Sequence, residues 1–309
     1  MDLSPEEIRI KIVSNYGPHN LKDHFSRMCK DPKNLTWNNL RIVEKDEDVA
    51  VVINWVEHGI VQEKKSIVLQ MEPSFVTQKF PSVFSNLQDH KNEFLFAHDT
   101  QSHHNNIEWH ISPTYSQLIN NEINLDKEYC FSTVMSGKRD CSLHVKRLDF
   151  LCLLCDNLII DVWGKGHSDK WIGPNAPSVG REMGELPLRE KDRGLFPYKY
   201  TYASENNIER NYFTEKIVDS ILSECLCFYY GCPNIDDFIH PQSYINIDLE
   251  DFEGSLEVIK SAIENNEWEK RLLYIRESKD KILNELQMFP VLEKVLNSVA
   301  INMEDLLRS

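Results

Sequence analysis

The chain has 309 residues, 41% of them hydrophobic and 27% charged, enough for two globular domains, each with a sizeable core. Its 49 acidic against 34 basic residues give a formal net charge of −15. That balance argues against nucleic acid or an anionic membrane as the main partner, because both need a basic footprint. No apolar run reaches the ~20 residues that span a bilayer, and the opening MDLSPEEIRIKIV lacks the pattern of a secretion signal. A cytoplasmic location is therefore expected. The eight cysteines sit largely among apolar neighbours and read as reduced core thiols rather than a disulfide framework. Asn34-Leu35-Thr36 matches a glycosylation sequon that a cytoplasmic chain would leave idle.

In chain order, the β-branched run Val49 to Trp55 predicts a buried strand, and Ser66 to Met71 a second. The second is closed by Glu72-Pro73, because proline cannot continue a ladder, so Glu72 should stand at a strand exit. Glu93 to Ala97 and Ile107 to Ile111 are further strand candidates, separated by a polar, histidine-rich loop. A second β-α-β series opens near Lys127: a strand from Tyr129 to Met135, a helix from Leu143 to Cys155, and a strand from Leu158 to Trp163. After a Gly/Pro-marked connection come a strand over Tyr198 to Asn206 that ends in two polar residues, and a helix with Ile217, Val218, Ile221, Leu222 and Cys225 at helical spacing. Strands at Leu226 to Tyr230 and Ser243 to Ile247 follow, then helices over Leu256 to Ile263 and Trp268 to Phe289, with a last helical tail from Pro290. The alternation predicts two α/β domains.

The chemistry concentrates in one strand–loop–helix. KYTYASEN (199–206) ends a strand on polar residues, and NYFTEK (211–216) starts a helix on Thr, Glu and Lys. In an open α/β sheet the strand's carboxyl end and the next helix N-terminus form the usual crevice for a nucleotide. A lysine there neutralises a diphosphate, while Glu and Asn hold hydroxyls. YYGCP (229–233) and FIHPQSYIN (238–246) follow. There is no Walker loop and no GxGxxG, which leaves kinase and nicotinamide readings unsupported.

These four elements, in this order and spacing, resemble the signature region of the α-1,3/α-1,4-fucosyltransferase family, with about a sixth of the chain matching closely. The resemblance implies a GT-B fold of two Rossmann-like domains facing a central cleft, with an acceptor domain over 1–126 and a donor domain with C-terminal helices over 127–309. It implies inverting transfer of L-fucose from GDP-fucose to a glycan hydroxyl, with no metal strictly required. Lys216 and Glu215 would grip the donor's diphosphate and its sugar or ribose, and Asn206 and Tyr212 would contact the nucleotide. Arg147 fits the family's phosphate-binding arginine, with Lys146, Lys138 and Arg139 as competitors in register. Gln70-Met71-Glu72-Pro73-Ser74 looks like the family's strand-exit glutamate, making Glu72 the expected catalytic base. The chain departs from the pattern at Phe213, Tyr230 and Cys232, where Val, Trp and Asp or Ser are usual, and these departures bear on donor preference.

Each reading has a plainer competitor. Glu215 and Lys216 suit a solvated first helical turn, Tyr212 a packing aromatic, Arg147 a helix surface, and Glu72 a turn beside proline. Cys152-Leu153-Leu154-Cys155 reads as a packed helix face rather than a redox pair. His98, His103, His104 and His110 near Asp99 fit no standard ligand spacing and read as a solvated loop or an acceptor surface. Asp46-Glu47-Asp48 reads as a solvated turn. Two other functions stay open: a same-fold transferase with another nucleotide sugar, such as a xylosyl donor, and a non-catalytic glycan-binding or nucleotide-binding module.

Overall fold

A computed structural model of the chain describes residues 7–14, 21–54, 62, 65–74, 76, 94–167 and 179–308. They form two compact units, one of Met1–Glu108, Pro113–Glu122 and Leu283–Ser309, the other of Trp109–Ser112 and Ile123–Ile282. The last helix therefore belongs to the first unit, whereas the sequence division had grouped it with residues from 127 onward.

In the first unit, β1 (Ile8–Val13), β2 (Thr36–Trp37), β3 (Leu40–Ile42), β4 (Val49–Ile53), β5 (Ser66–Leu69) and β6 (Phe96–Ala97) form one sheet in the order β2-β3-β1-β4-β5-β6. The β2–β3 pair is antiparallel and the other pairings are parallel. Ignoring the antiparallel edge, this is the 2-1-3-4-5 order of doubly wound folds, whose switch point lies between β1 and β4. All residues of β4 and β5 are buried, as expected for near-continuous apolar runs covered on both faces. Among the described residues, helices α1 (Leu21–Ser26) and α2 (Tyr115–Ile119) and the C-terminal helix (Met288–Arg308) accompany this sheet. Trp37 anchors that helix, stacking on Phe289 at 5.8 Å and donating to Glu293 Oε2 at 3.2 Å.

The second unit carries β7 (Tyr129–Val134), β8 (Asp161–Trp163), β9 (Arg181–Gly184), β10 (Tyr198–Ser204), β11 (Leu226–Tyr230) and β12 (Tyr244–Asn246) in the order β12-β11-β10-β7-β8-β9. Every pairing is parallel. This is the 3-2-1-4-5-6 Rossmann order, with its switch point between β7 and β10. The helices are α3 (Ser142–Asn157), α4 (Asp192–Leu195), α5 (Glu215–Leu222), α6 (Phe252–Glu264) and α7 (Glu267–Lys281). Leu148, Phe150, Leu151 and Leu154 of α3 are fully buried, and each such side chain contributes about 1.5–3 kcal/mol relative to exposure. Two Rossmann-like parallel sheets are the units expected of a GT-B chain.

Most predicted elements are present, with ends shifted by a few residues. One strand is not: Ile107 to Ile111 makes only an isolated bridge from Ile107 to Gln287. Its alternate residues Ile107, Trp109 and Ile111 are fully buried, so the period-2 pattern records an extended chain. Other partners meet this stretch: His110 N–H donates to Asp219 Oδ1 at 2.7 Å, its carbonyl accepts from Lys191 N–H at 3.1 Å, and just beyond it Ser112 N–H donates to Asp192 Oδ1 at 2.9 Å. Trp55 and Glu93, at the ends of two predicted strands, lie outside the described residues. The eight cysteines are free thiols, five buried and Cys130 exposed. Among the described residues no helix is long and apolar enough to cross a membrane.

Candidate functional site

Beyond the carboxyl ends of β7 and β10, at the switch point of the second sheet, lies a cavity of about 590 Å³. Its walls include Met135 and Ser136 after β7, Ser204 at the end of β10 and Asn206 beyond it, and the first turn of α5. Six cations line it, Lys138, Arg147, Lys165, Arg189, Lys191 and Lys216, against three carboxylates, Glu185, Glu215 and Asp219. An excess of three positive charges in a chain of net charge −15 marks a local site for an anion.

Each functional side chain has an identifiable support. Arg147 stands on α3 and is only 4% exposed. Tyr202 of β10 donates its hydroxyl to the Arg147 carbonyl at 3.2 Å, fixing helix against strand, and Arg147 Nη1 donates to Asn206 Oδ1 at 2.5 Å. Burial pushes the Arg147 pKa down, yet a guanidinium stays charged in proteins. The desolvation it has already undergone makes its charge effective toward a bound anion.

Glu205 organises the loop after β10 and is completely buried. Its carboxylate accepts from Thr214 N–H at 2.8 Å, from Thr214 Oγ1–H at 2.7 Å and from Tyr229 O–H at 3.3 Å. Thr214 is the N-cap of α5, so this carboxylate fixes where that helix begins. Gly231 is required beside it, since a Cβ there would meet Tyr229 Oη at 2.4 Å and Glu205 Cγ at 2.5 Å.

At the start of α5, Lys216 Nζ lies 3.0 Å from Thr214 Oγ1, 3.3 Å from Glu215 Oε1 and 3.4 Å from Glu205 Oε2. Burial alone would lower the Lys216 pKa, but Glu215 and Glu205 outweigh it and raise it. Burial would likewise raise Glu215, but Lys216 and Lys191 hold its carboxyl well below the usual range. Both residues are therefore ionised at neutral pH. Lys191 joins them, bonding Asp219 Oδ2 at 2.8 Å and lying 3.7 Å from Glu215.

Of the predicted site residues, Arg147, Asn206, Glu215 and Lys216 share this cavity wall. Tyr212 is buried at 7% exposure and forms no part of the wall. The competitors of Arg147 separate: Lys146 pairs with Glu250, Arg139 lies 3.7 Å from Asp149 in an exposed pair, and Lys138 lines the cavity. Glu72 belongs to the other unit, just beyond β5. Its backbone N–H and that of Met71 donate to Asn54 Oδ1 at 3.2 and 2.7 Å. Asn54 is buried and left-handed at φ 63° directly after β4, so it ties the two strand exits together.

In the histidine-rich segment, expected to be a solvated loop or an acceptor surface, Gln101, Ser102 and His103 are exposed, whereas His98 is not. His98 is buried, its Nδ1 accepts from Gln70 N–H at 3.0 Å, and burial followed by His103 pushes its pKa down to about 4. Asp46 and Asp48 are exposed, as expected, but Asp48 is tied to Arg9 at 2.8 Å. The residues missed in the sequence were Glu205, Lys191, Asp219 and His144. Glu205 stood inside the quoted KYTYASEN, and His144 lies one turn before Arg147. Lys191 and Asp219 gave no local signal, because the fold alone brings them together.

Residues 127–270 match the model for glycosyltransferase family 10 (fucosyltransferase), C-terminal. The second unit is thus similar, over most of its length, to the C-terminal part of glycosyltransferase family 10. An α-(1,3)-fucosyltransferase of Helicobacter pylori is 31% identical over 74 residues, 24% of this chain and 16% of that relative, so the match spans about a sixth of the relative's length. Among solved structures, an α1,3-fucosyltransferase with GDP superposes over 97% of this chain and 92% of its own, at 14% identity and a TM-score of 0.48. Anabaena Alr3699/HepE with UDP-glucose superposes over 97% of this chain and 100% of its own, at 8% identity and a TM-score of 0.47. The matched stretch begins just before β7 and ends within α7, so it contains nearly all of the cavity wall, His110 excepted.

Proposed function

We propose that the chain is an inverting glycosyltransferase that moves L-fucose from GDP-fucose to a hydroxyl of a glycan acceptor. The observation that carries this reading is the convergence of Arg147, Asn206, Glu215 and Lys216 on one cationic cavity at the sheet's switch point. The family 10 match over the same residues supports it.

In this reading the second unit holds the donor. Arg147 and Lys216 face the diphosphate and stabilise the charge that grows on it as the glycosidic C–O bond breaks, a stabilisation preorganised by their burial. Glu215, held ionised between two lysines, and Asn206 accept from hydroxyls of the sugar or ribose. The first unit serves the acceptor. Glu72, at the exit of β5, takes the proton of the acceptor hydroxyl as its oxygen attacks the anomeric carbon. GDP leaves with the bonding electron pair, and the configuration at that carbon inverts.

The test is turnover and thermal stabilisation with a panel of nucleotide sugars, GDP-fucose and a UDP-xylosyl donor included. GDP-fucose should give the largest stabilisation, and donor hydrolysis or transfer should fall in both Glu72→Ala and Lys216→Ala. Undiminished activity in both variants contradicts the assignment. A larger stabilisation by another nucleotide sugar transfers the same machinery to that donor.

A further inference from the structure

The cavity holds two polar groups that the chain itself leaves unsatisfied. His144 and Arg147 stand three residues apart on α3, so their side chains share one helix face. Both line the cavity, at 8% and 4% exposure. His144 Nε2 and Arg147 Nε are buried and have no hydrogen-bond partner. Orphaned buried donors are rare and costly, of order 1–3 kcal/mol each. Two on adjacent turns, facing one cationic cavity, mark the place of a missing acceptor.

The protonation state of His144 follows from its other nitrogen. Nδ1 accepts from the Asp140 N–H at 3.3 Å, so in the neutral ring the proton sits on Nε2. Burial, followed by the neighbouring Arg147, pushes the His144 pKa down, against opposing contributions from Asn206 and Asp140. Asn206 lies near enough to the ring to oppose that shift, yet His144 Nε2 has no hydrogen-bond partner. The imidazole therefore presents an uncharged N–H to the cavity. Helix α3 also begins here, with Cys141 at its N-cap and no side-chain cap bond, so its positive end lies on the same side.

We infer that His144 is a further ligand-binding residue of this cavity, donating its Nε2–H, beside Arg147 Nε, to an oxygen of the bound diphosphate. This rests on the donor-site reading above and adds to it a residue outside the four motif elements. It also separates two roles on one helix: Arg147 supplies charge, and His144 a neutral, directional hydrogen bond.

Calorimetric titration of GDP, guanosine and inorganic pyrophosphate into the full chain tests it, with His144→Ala, His144→Asn and His144→Gln. Glutamine places an amide N–H near the position of Nε2, whereas asparagine reaches only as far as Nδ1. Ala and Asn should weaken GDP and pyrophosphate by about tenfold, the usual worth of a hydrogen bond to a charged acceptor, and leave guanosine unchanged. Gln should stay within about twofold of the wild type. GDP binding unchanged in Ala and Asn overturns the inference while leaving the donor reading intact. Pyrophosphate binding that depends on His144, with no added affinity from guanosine in GDP, keeps the inference and sinks the donor reading. If the Ala variant loses its thermal transition, the Asn and Gln pair decides.

Discussion

At the carboxyl edge of the second sheet, six cations and three carboxylates surround one cavity. The first sheet presents Asn54, Gln70, Glu72, His98, Asp99 and Asn106 at its corresponding edge, where His98 is held neutral. Apart from the antiparallel β2–β3 pair, both sheets are parallel and follow doubly wound strand orders, in which ligands bind at the strand exits. The backbone alone therefore does not decide what binds. The difference lies in a few residues immediately after the strands: lysine and arginine around a cavity with an excess of cations in one unit, amides, imidazole and the carboxyl groups of Glu72 and Asp99 in the other. That contrast suits an anionic donor for the second unit and an uncharged hydroxyl, with a base beside it, for the first.

The contrast can be broken most sharply at Glu72. Glu72→Gln should lower kcat by about 10²–10⁴-fold, the usual contribution of a general base, with GDP affinity unchanged. A comparable loss of GDP affinity would erase the division between the units. Lys216→Ala should lower kcat/KM by about 10²–10³-fold, as for other preorganised charges facing a leaving group, and should weaken GDP itself.

Glu205 tests the support beneath that charge rather than the charge itself. Glu205→Ala strands the Thr214 N–H and hydroxyl and the Tyr229 hydroxyl. It should cost about 3 kcal/mol in urea unfolding, with Glu205→Gln losing less. Equal stability in both variants and wild type would remove Glu205 from the account.

The smallest effect concerns the first unit's surface. Arg9 holds the Asp48 carboxyl down to about 2, against an ordinary value of 3.8. A lowered folded pKa contributes stability that is fully present above the unfolded value and is lost as pH falls from about 3.8 through 2. The pair is about two-fifths exposed, so screening keeps its worth to about 0.2–1 kcal/mol. Asp48→Asn should flatten the acid limb of the stability curve by that amount and leave neutral-pH turnover unchanged.

How much of this was legible depended on whether the signal was local. Strands with uninterrupted apolar runs, such as Leu226–Tyr230, were read at their observed limits, because burial on both faces writes itself directly into composition. β1 is central in its sheet yet escaped, since Arg9 and Lys11 break its apolar run. Ile107 to Ile111 misled in the other direction: alternation reports which side chains are buried, not whether a partner strand is present. Around the cavity, the residues carried by contiguous motifs were found. Lys191 and Asp219, 28 positions apart and bonded at 2.8 Å, became neighbours only through the fold. Glu205 was overlooked because a buried carboxylate that fixes a helix start has no periodicity of its own.

The division of labour between the two units is tested most directly by titrating GDP into three proteins: wild type, Glu72→Gln and Lys216→Ala. The account predicts equal dissociation constants for wild type and Glu72→Gln, and at least tenfold weaker binding for Lys216→Ala. Equal binding by all three, or equal losses in both variants, would contradict it.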